Sequence, residues 1–122
     1  MENSNYLEIK VSGEFFIIPE EDVERIMLKP LLTRLPFLNS LVCGMVFDGR
    51  EMVPLLDLTK GRFSKEKEFG NVCILLHRGN QKLAAAVTEI GRTYFQEESE
   101  QDTIDLFSLV FNKMGGEDSG GH

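Results

Sequence analysis

The residues that could do chemistry in this chain are few. There are two histidines, His77 and His122, and two cysteines, Cys43 and Cys73. Cys73 and His77 stand four apart, on one side of an extended segment of period two. With Cys43 they are the nearest thing to a metal-ligand or thiol–imidazole set. A structural zinc site needs four ligands, and no C-x-x-C pair is present. Both cysteines lie inside apolar runs, where a buried thiol resists the ionisation a nucleophile requires. His122 ends the chain and His77 stands beside a turn, so neither is expected to act as a base. The glycines are scattered as turn residues and form no phosphate-binding loop.

One acidic arrangement imitates a phosphoacceptor receiver domain. Phe15-Phe16-Ile17-Ile18 runs into Glu20-Glu21-Asp22, and Val53-Pro54-Leu55-Leu56 runs into Asp57, with Thr88 and Lys113 further on. Receivers alternate parallel strands with crossover helices. Here Asp48-Gly49 joins two apolar runs directly and leaves no length for a crossover. No catalytic residues, metal ligands or cofactor are therefore expected.

The elements that position these residues read as mainly β. The 122 residues make one domain, with residues 1–114 folded and 115–122 a disordered tail. Leu7, Ile9 and Val11 alternate with Glu8 and Lys10 as a half-buried strand, and Phe15 to Ile18 returns after Ser12-Gly13. Glu20-Glu21-Asp22 is expected to open a short early helix with Val23, Ile26 and Met27 on its apolar face, stopped by Pro30. Residues 31–40 read as an extended loop. Leu41 to Phe47 and Met52 to Leu56 form a hairpin whose two-residue turn is Asp48-Gly49. Pro54 cannot donate to a ladder, so an edge, bulge or bend is expected there. Residues 61–70 are polar and read as a mobile loop. Val72 to Leu76 and Leu83 to Val87 form a second hairpin, and Thr93 to Phe95 a last short strand. Ile104, Phe107, Phe111 and Met114 fall on one face of a C-terminal helix, with Asp102 as its cap and Gly115 as its end.

The net charge of −7 is unevenly spread. Residues 1–96 carry 12 basic against 13 acidic residues, and residues 97–122 one against seven. The folded part is nearly neutral and offers no broad basic face, which excludes nucleic acid as the expected partner. The small basic stretch Lys60, Arg62, Lys65 and Lys67 reads as a solvated loop. No apolar run reaches the roughly 18 residues of a membrane span, so no membrane insertion is expected. The N-terminus lacks a basic start and apolar stretch, which with the buried thiols points to the cytoplasm.

Leu41 to Leu58, LVCGMVFDGREMVPLLDL, resembles the central stretch of CheW-like domains, with Gly44, Glu51, Val53, Pro54, Asp57 and Leu58 in register. Tyr6 to Val11 is similar to the opening strand of that family, FFIIPEEDVERIM from Phe15 to Met27 to its second strand and following helix, and Val72 to Gly91 to its late hairpin. Phe47 stands where the family has asparagine, the family's Arg-Gly is reversed to Gly49-Arg50, and Thr88 replaces an aspartate. The second half is shortened.

The resemblance implies two small SH3-like β-barrel subdomains around a shared core, the second one truncated. It also implies a non-enzymatic adaptor that bridges the signalling tip of chemoreceptors and the regulatory domain of the histidine kinase CheA. Phe47, Asp48, Arg50 and Glu89 are the partner-binding candidates, and Gly44, Gly49, Pro54 and Asp57 the structural positions of the motif. Two other readings stay open. One is an accessory module that binds a single partner in a chemosensory-like or pilus system. The other is a small enzyme or metal protein.

Overall fold

A computed structural model describes residues 5–35, 41–95 and 104–112. Among them run nine strands: β1 (Asn5–Val11), β2 (Glu14–Pro19), β3 (Val23–Leu28), β4 (Leu32–Arg34), β5 (Val42–Phe47), β6 (Met52–Leu56), β7 (Val72–Arg78), β8 (Gln81–Val87) and β9 (Glu89–Phe95). They form a three-stranded sheet of order β2-β1-β9 and a six-stranded sheet of order β3-β7-β8-β6-β5-β4. All pairings are antiparallel except the short parallel contact of β6 with β8, at Leu55–Ala84 and Leu56–Ala85.

The larger sheet curls strongly, and chain connectivity shows why. Laid flat, its edge strands β3 and β4 would stand about 24 Å apart at the usual strand spacing. Only Lys29-Pro30-Leu31 joins them, and the four steps from Leu28 to Leu32 reach at most about 14 Å. The sheet must therefore curl. One bent strand pairs with β7 before the bend and with β5 after it. Lys29 takes a left-handed φ of 47° at the bend, and Pro30 follows it.

β7 and β8 supply the centre of the core. Cys73 to Leu76 and Leu83 to Val87 are buried without alternation, as expected of strands covered on both faces. Leu7, Ile9, Val11 and Ile18 of the smaller sheet join Val46, Leu55, Leu56 and Ile74 of the larger one in a single apolar cluster. Alanines 84–86 are extended because they pair with β7 on one side and, at Ala84 and Ala85, with β6 on the other.

Three expectations need correction. Glu20–Asp22 is a single 3-10 turn, and Val23–Leu28 is a strand rather than the early helix. β7 is buried, so its backbone groups need partners on both sides. β8 covers one side and Val23–Leu28 the other, which outweighs a helical stripe of only three residues. Residues 31–35 are not loop, since Leu32–Arg34 pairs with Gly44–Val46. The polar stretch 61–70 is anchored, because Phe63 and Phe69 are buried and meet edge-to-face at 5.3 Å.

At the C-terminal end, Leu106 to Asn112 is helical, widened to π geometry over Ser108–Asn112. Asp105 caps it, its Oδ1 accepting from Ser108 N at 3.2 Å and its Oδ2 from Ser108 Oγ at 2.9 Å. Leu106, Phe107 and Val110 are buried. The expected cap Asp102, Met114, Gly115 and the tail 115–122 lie outside the described residues.

Candidate functional site

The β5–β6 hairpin carries most of the candidate residues. Asp48 N donates to Glu51 O at 3.0 Å, so the turn residues are Gly49 and Arg50 rather than Asp48 and Gly49. Gly49 has φ +106° at the first central position, the type II′ pattern, which matches the twist of the flanking strands. The order Gly-Arg is what this turn requires, because the reverse would put a side chain at the left-handed position.

Asp48 organises the turn from beneath. Its side chain is only 1% exposed. Oδ1 accepts from Arg50 N at 2.7 Å and Glu51 N at 2.8 Å, and Oδ2 accepts from Lys82 Nζ at 3.0 Å. Arg25 Nη2 donates to its carbonyl. The bond from Glu51 N is the largest influence on the carboxyl, which lies at about 2 although burial opposes ionisation. The bond from Lys82 to the Asp48 carboxylate raises the pKa of Lys82, which also stands 3.5 Å from Glu51 Oε2. Asp48 is a brace, with both oxygens committed inside the protein.

Arg50 is exposed at the tip, and its side chain makes no hydrogen bond or ion pair among the described residues. Phe47 is 38% exposed and faces Met52, which is 45% exposed, across the hairpin. Phe47 N donates to Leu31 O at 2.9 Å, which carries the β4–β5 ladder one residue further and sets Leu31 on the other side of Phe47. Leu31, Phe47 and Met52 thus form a row across three strands on the outward face. Ile26 and Leu28 of β3 lie across an open groove of about 610 Å³ lined by Arg25 to Leu31 and by Phe47 to Gly49. Of the seven large apolar side chains exposed among the described residues, these five surround one hairpin tip. Scattered exposed apolar residues are ordinary, whereas a contiguous group marks an interaction surface.

The remaining candidates lie elsewhere. Glu89 starts β9 in the smaller sheet, opposite Lys10, whose Nζ is 3.6 Å from its Oε2. Gly44 sits where a Cβ would collide with the carbonyl of Thr33 on β4. Pro54 faces Met45 at a non-bonded position of the β5–β6 ladder, so its nitrogen points away from β5, and β8 begins to pair only at Leu55. Asp57 is fully buried. It accepts from Thr59 N (2.9 Å), Thr59 Oγ1 (2.6 Å) and Ser64 N (2.7 Å), and so ties down the stretch that follows.

Of the residues weighed for catalysis, Cys43 and Cys73 lie in the core and near enough to influence one another, while His77 is at the exposed end of β7. Burial pushes the Cys43 and Cys73 thiols up, to about 11 and about 12, and both stay protonated at neutral pH. His77 is exposed at the end of β7, opposite Lys82. Among the described residues no three His, Cys, Asp or Glu side chains gather as a metal cluster.

Sequence reasoning missed Lys82, Arg25 and Leu31. Lys82 meets Asp48 across 34 positions and Arg25 across 23, and no local pattern reports such pairs. The alternation of Ile26 and Leu28 around Met27 is a strand signal that was open to reading.

The curled six-stranded sheet with a smaller sheet sharing its core defines a CheW-type fold. The sequence profile of the CheW-like domain family matches residues 5–106, and the chain belongs to that family. Among solved structures it is similar to the scaffolding protein TtCheW from Thermoanaerobacter tengcongensis, with a TM-score of 0.60 and 18% identity over 75% of this chain and 64% of that one. The chain thus spans just under two thirds of that protein's length. No curated protein matches it in sequence. Among the described residues no helix is long and apolar enough to cross a membrane.

Proposed function

We propose that this protein is a non-enzymatic adaptor of a chemotaxis-type signalling system, working in the cytoplasm and coupling chemoreceptors to the histidine kinase CheA. The observation that carries this reading is the exposed row Leu31–Phe47–Met52 on a rigid hairpin, with the free guanidinium of Arg50 at its tip. Such a surface suits a protein partner that brings apolar side chains and a carboxylate. The brace of Asp48 and Lys82 holds the hairpin in place before any partner arrives, which lowers the ordering cost of binding.

The test is a titration of the purified protein with a CheA regulatory domain and, separately, with a receptor signalling-tip fragment from the same genome. The coupling role requires saturable binding to both. Arg50→Ala is expected to weaken receptor binding by roughly 1–3 kcal/mol if the charge sits in a hot spot. Phe47→Asp, which buries a charge against the partner's apolar surface, is expected to weaken the interaction that uses the row at least as much.

A second reading rests on the order Gly49-Arg50 at the hairpin tip, the reverse of the family's. Here the protein keeps one docking surface and serves as an accessory module for a single partner. Binding to only one of the two fragments, with no effect of Arg50→Ala on receptor affinity, would favour it.

A further inference from the structure

The edge of β3 has a use that the outward face does not supply. Lys29 N donates to Asn71 O at 2.8 Å, which fixes the phase of the β3–β7 ladder. In an antiparallel pair, bonded and non-bonded positions alternate. Arg25, Met27 and Lys29 are then the bonded positions, and the N–H and C=O groups of Ile26 and Leu28 point away from β7. No backbone group among the described residues meets them. They open into the groove between β3 and the β5–β6 tip, whose lining includes the exposed side chains of Ile26, Leu28, Leu31 and Phe47.

An unpaired strand edge is a template for another strand, and proteins usually blunt it with charges, bulges or proline. β3 has its irregularity at Val23–Arg25, and from Arg25 to Leu28 the register is regular. The edge that remains is short and apolar. Its charge is one-sided. Lys82 is taken up by Asp48, Glu51 and Glu24. Lys29 and Arg50 have no side-chain partner among the described residues, and Arg25 reaches only a carbonyl.

We propose that the free edge of β3 binds a short extended segment of a partner protein by strand addition, with Ile26 and Leu28 giving the backbone bonds. The segment alternates apolar residues, which lie over Ile26, Leu28 and Phe47, with carboxylates, which meet Lys29, Arg50 and Arg25. This site shares Leu31, Phe47 and Arg50 with the outward row and adds the backbone edge of β3 at Ile26 and Leu28, which the row does not use.

The test uses the intact protein and a panel of acetylated hexapeptides alternating glutamate with valine or leucine. Basic counterparts and versions N-methylated at alternate amides serve as controls, because methylation removes the backbone donors and leaves the side chains. Backbone NMR should show the largest shifts, and slowed hydrogen exchange, at the amides of Ile26 and Leu28. Affinity should fall at least tenfold on N-methylation and also fall as salt is raised. Lys29→Glu with Arg50→Glu should turn the preference toward the basic peptides. The proposal is overturned if methylated and unmethylated peptides bind alike, if the shifts lie away from β3, or if none of the acidic panel binds at millimolar concentration. The N-methylated peptides and the Ile26 and Leu28 amides read the backbone edge, which the kinase and receptor titrations do not, so failure here leaves them standing and their failure leaves this test intact.

Discussion

Asp48 shows at the smallest scale how one side chain prepares a surface that it does not itself present. Its carboxylate is held at about 2 by backbone donors and Lys82, below the ordinary value of 3.8. A carboxyl depressed on folding contributes stability above its unfolded value and loses it as the pH falls through its folded one. Wild type should therefore exceed Asp48→Asn in urea stability at pH 7 by on the order of 1–3 kcal/mol. That gap should narrow between about pH 4 and pH 2. A difference that does not change with pH would show that the carboxylate has no such depressed titration. Some of this was legible in the sequence: an acid before a glycine between two apolar runs signals a hairpin, and Asp57 and Gly44 sit at motif positions whose surroundings now have a physical reason. The alignment of the turn by one residue was not, because it depends on which residues pair across the hairpin. The partners Lys82 and Arg25 were not legible either, since they arrive from other strands.

Between the elements, the decisive feature is the bent strand β3–β4, which curls the larger sheet round by joining its two edges. The strands that alternate or run apolar, β1, β5, β6, β7 and β8, could be read from pattern alone. β3 could not. Val23, Ile26 and Met27 suit a helix face locally, and only the demand of β7 for a second neighbour makes the segment extended. Lys29-Pro30 looked like a helix stop and is a barrel corner. Gly44 reports on the closure, because β4 lies so near β5 there that a methyl group would enter the Thr33 carbonyl. Gly44→Ala is expected to push β4 off β5 and destabilise the protein by about 1–3 kcal/mol, as overpacking generally does. Thermal unfolding reads the loss. Hydrogen exchange should place the earliest opening at Leu35 N, which donates to Cys43 O at 3.1 Å. An unchanged melting temperature would mean that the corner has slack the geometry does not show.

For the molecule as a whole, the question is what holds the C-terminal segment to a body it rejoins only after β9. Its apolar side chains Leu106, Phe107 and Val110 are buried, and Ile104 N donates to Ile17 O at 2.8 Å on β2. The apolar spacing that suggested a helix found Phe107, whereas its ionic fastening joins residues 22, 78 and 105 and has no sequence signature. Arg78 Nη2 lies 2.6 Å from Asp22 Oδ2, Nη1 lies 2.9 Å from Asp105 Oδ1, and the guanidinium stacks 4.8 Å over the Phe107 ring. One planar cation thus fastens the 3-10 turn, the β7–β8 hairpin and the terminal helix together. A lysine cannot replace it, because an ammonium lacks both the fork and the flat face. Asp22 is nearly buried, so removing its partner leaves a poorly solvated carboxylate, while the 40% exposure of Arg78 keeps the pair moderate in strength. Arg78→Ala and Arg78→Lys should therefore both loosen the segment, speeding exchange at Ile104, Ser108 and Leu109 by roughly tenfold or more, about 1.4 kcal/mol or more. The amides of Ile74 to Leu76 and Leu83 to Ala86 should keep their protection, because the β7–β8 ladder does not use the guanidinium. If those core amides accelerate equally, Arg78 supports the global fold rather than the fastening of one segment. If neither set changes, burial of Leu106, Phe107 and Val110 holds the segment without the ionic contact.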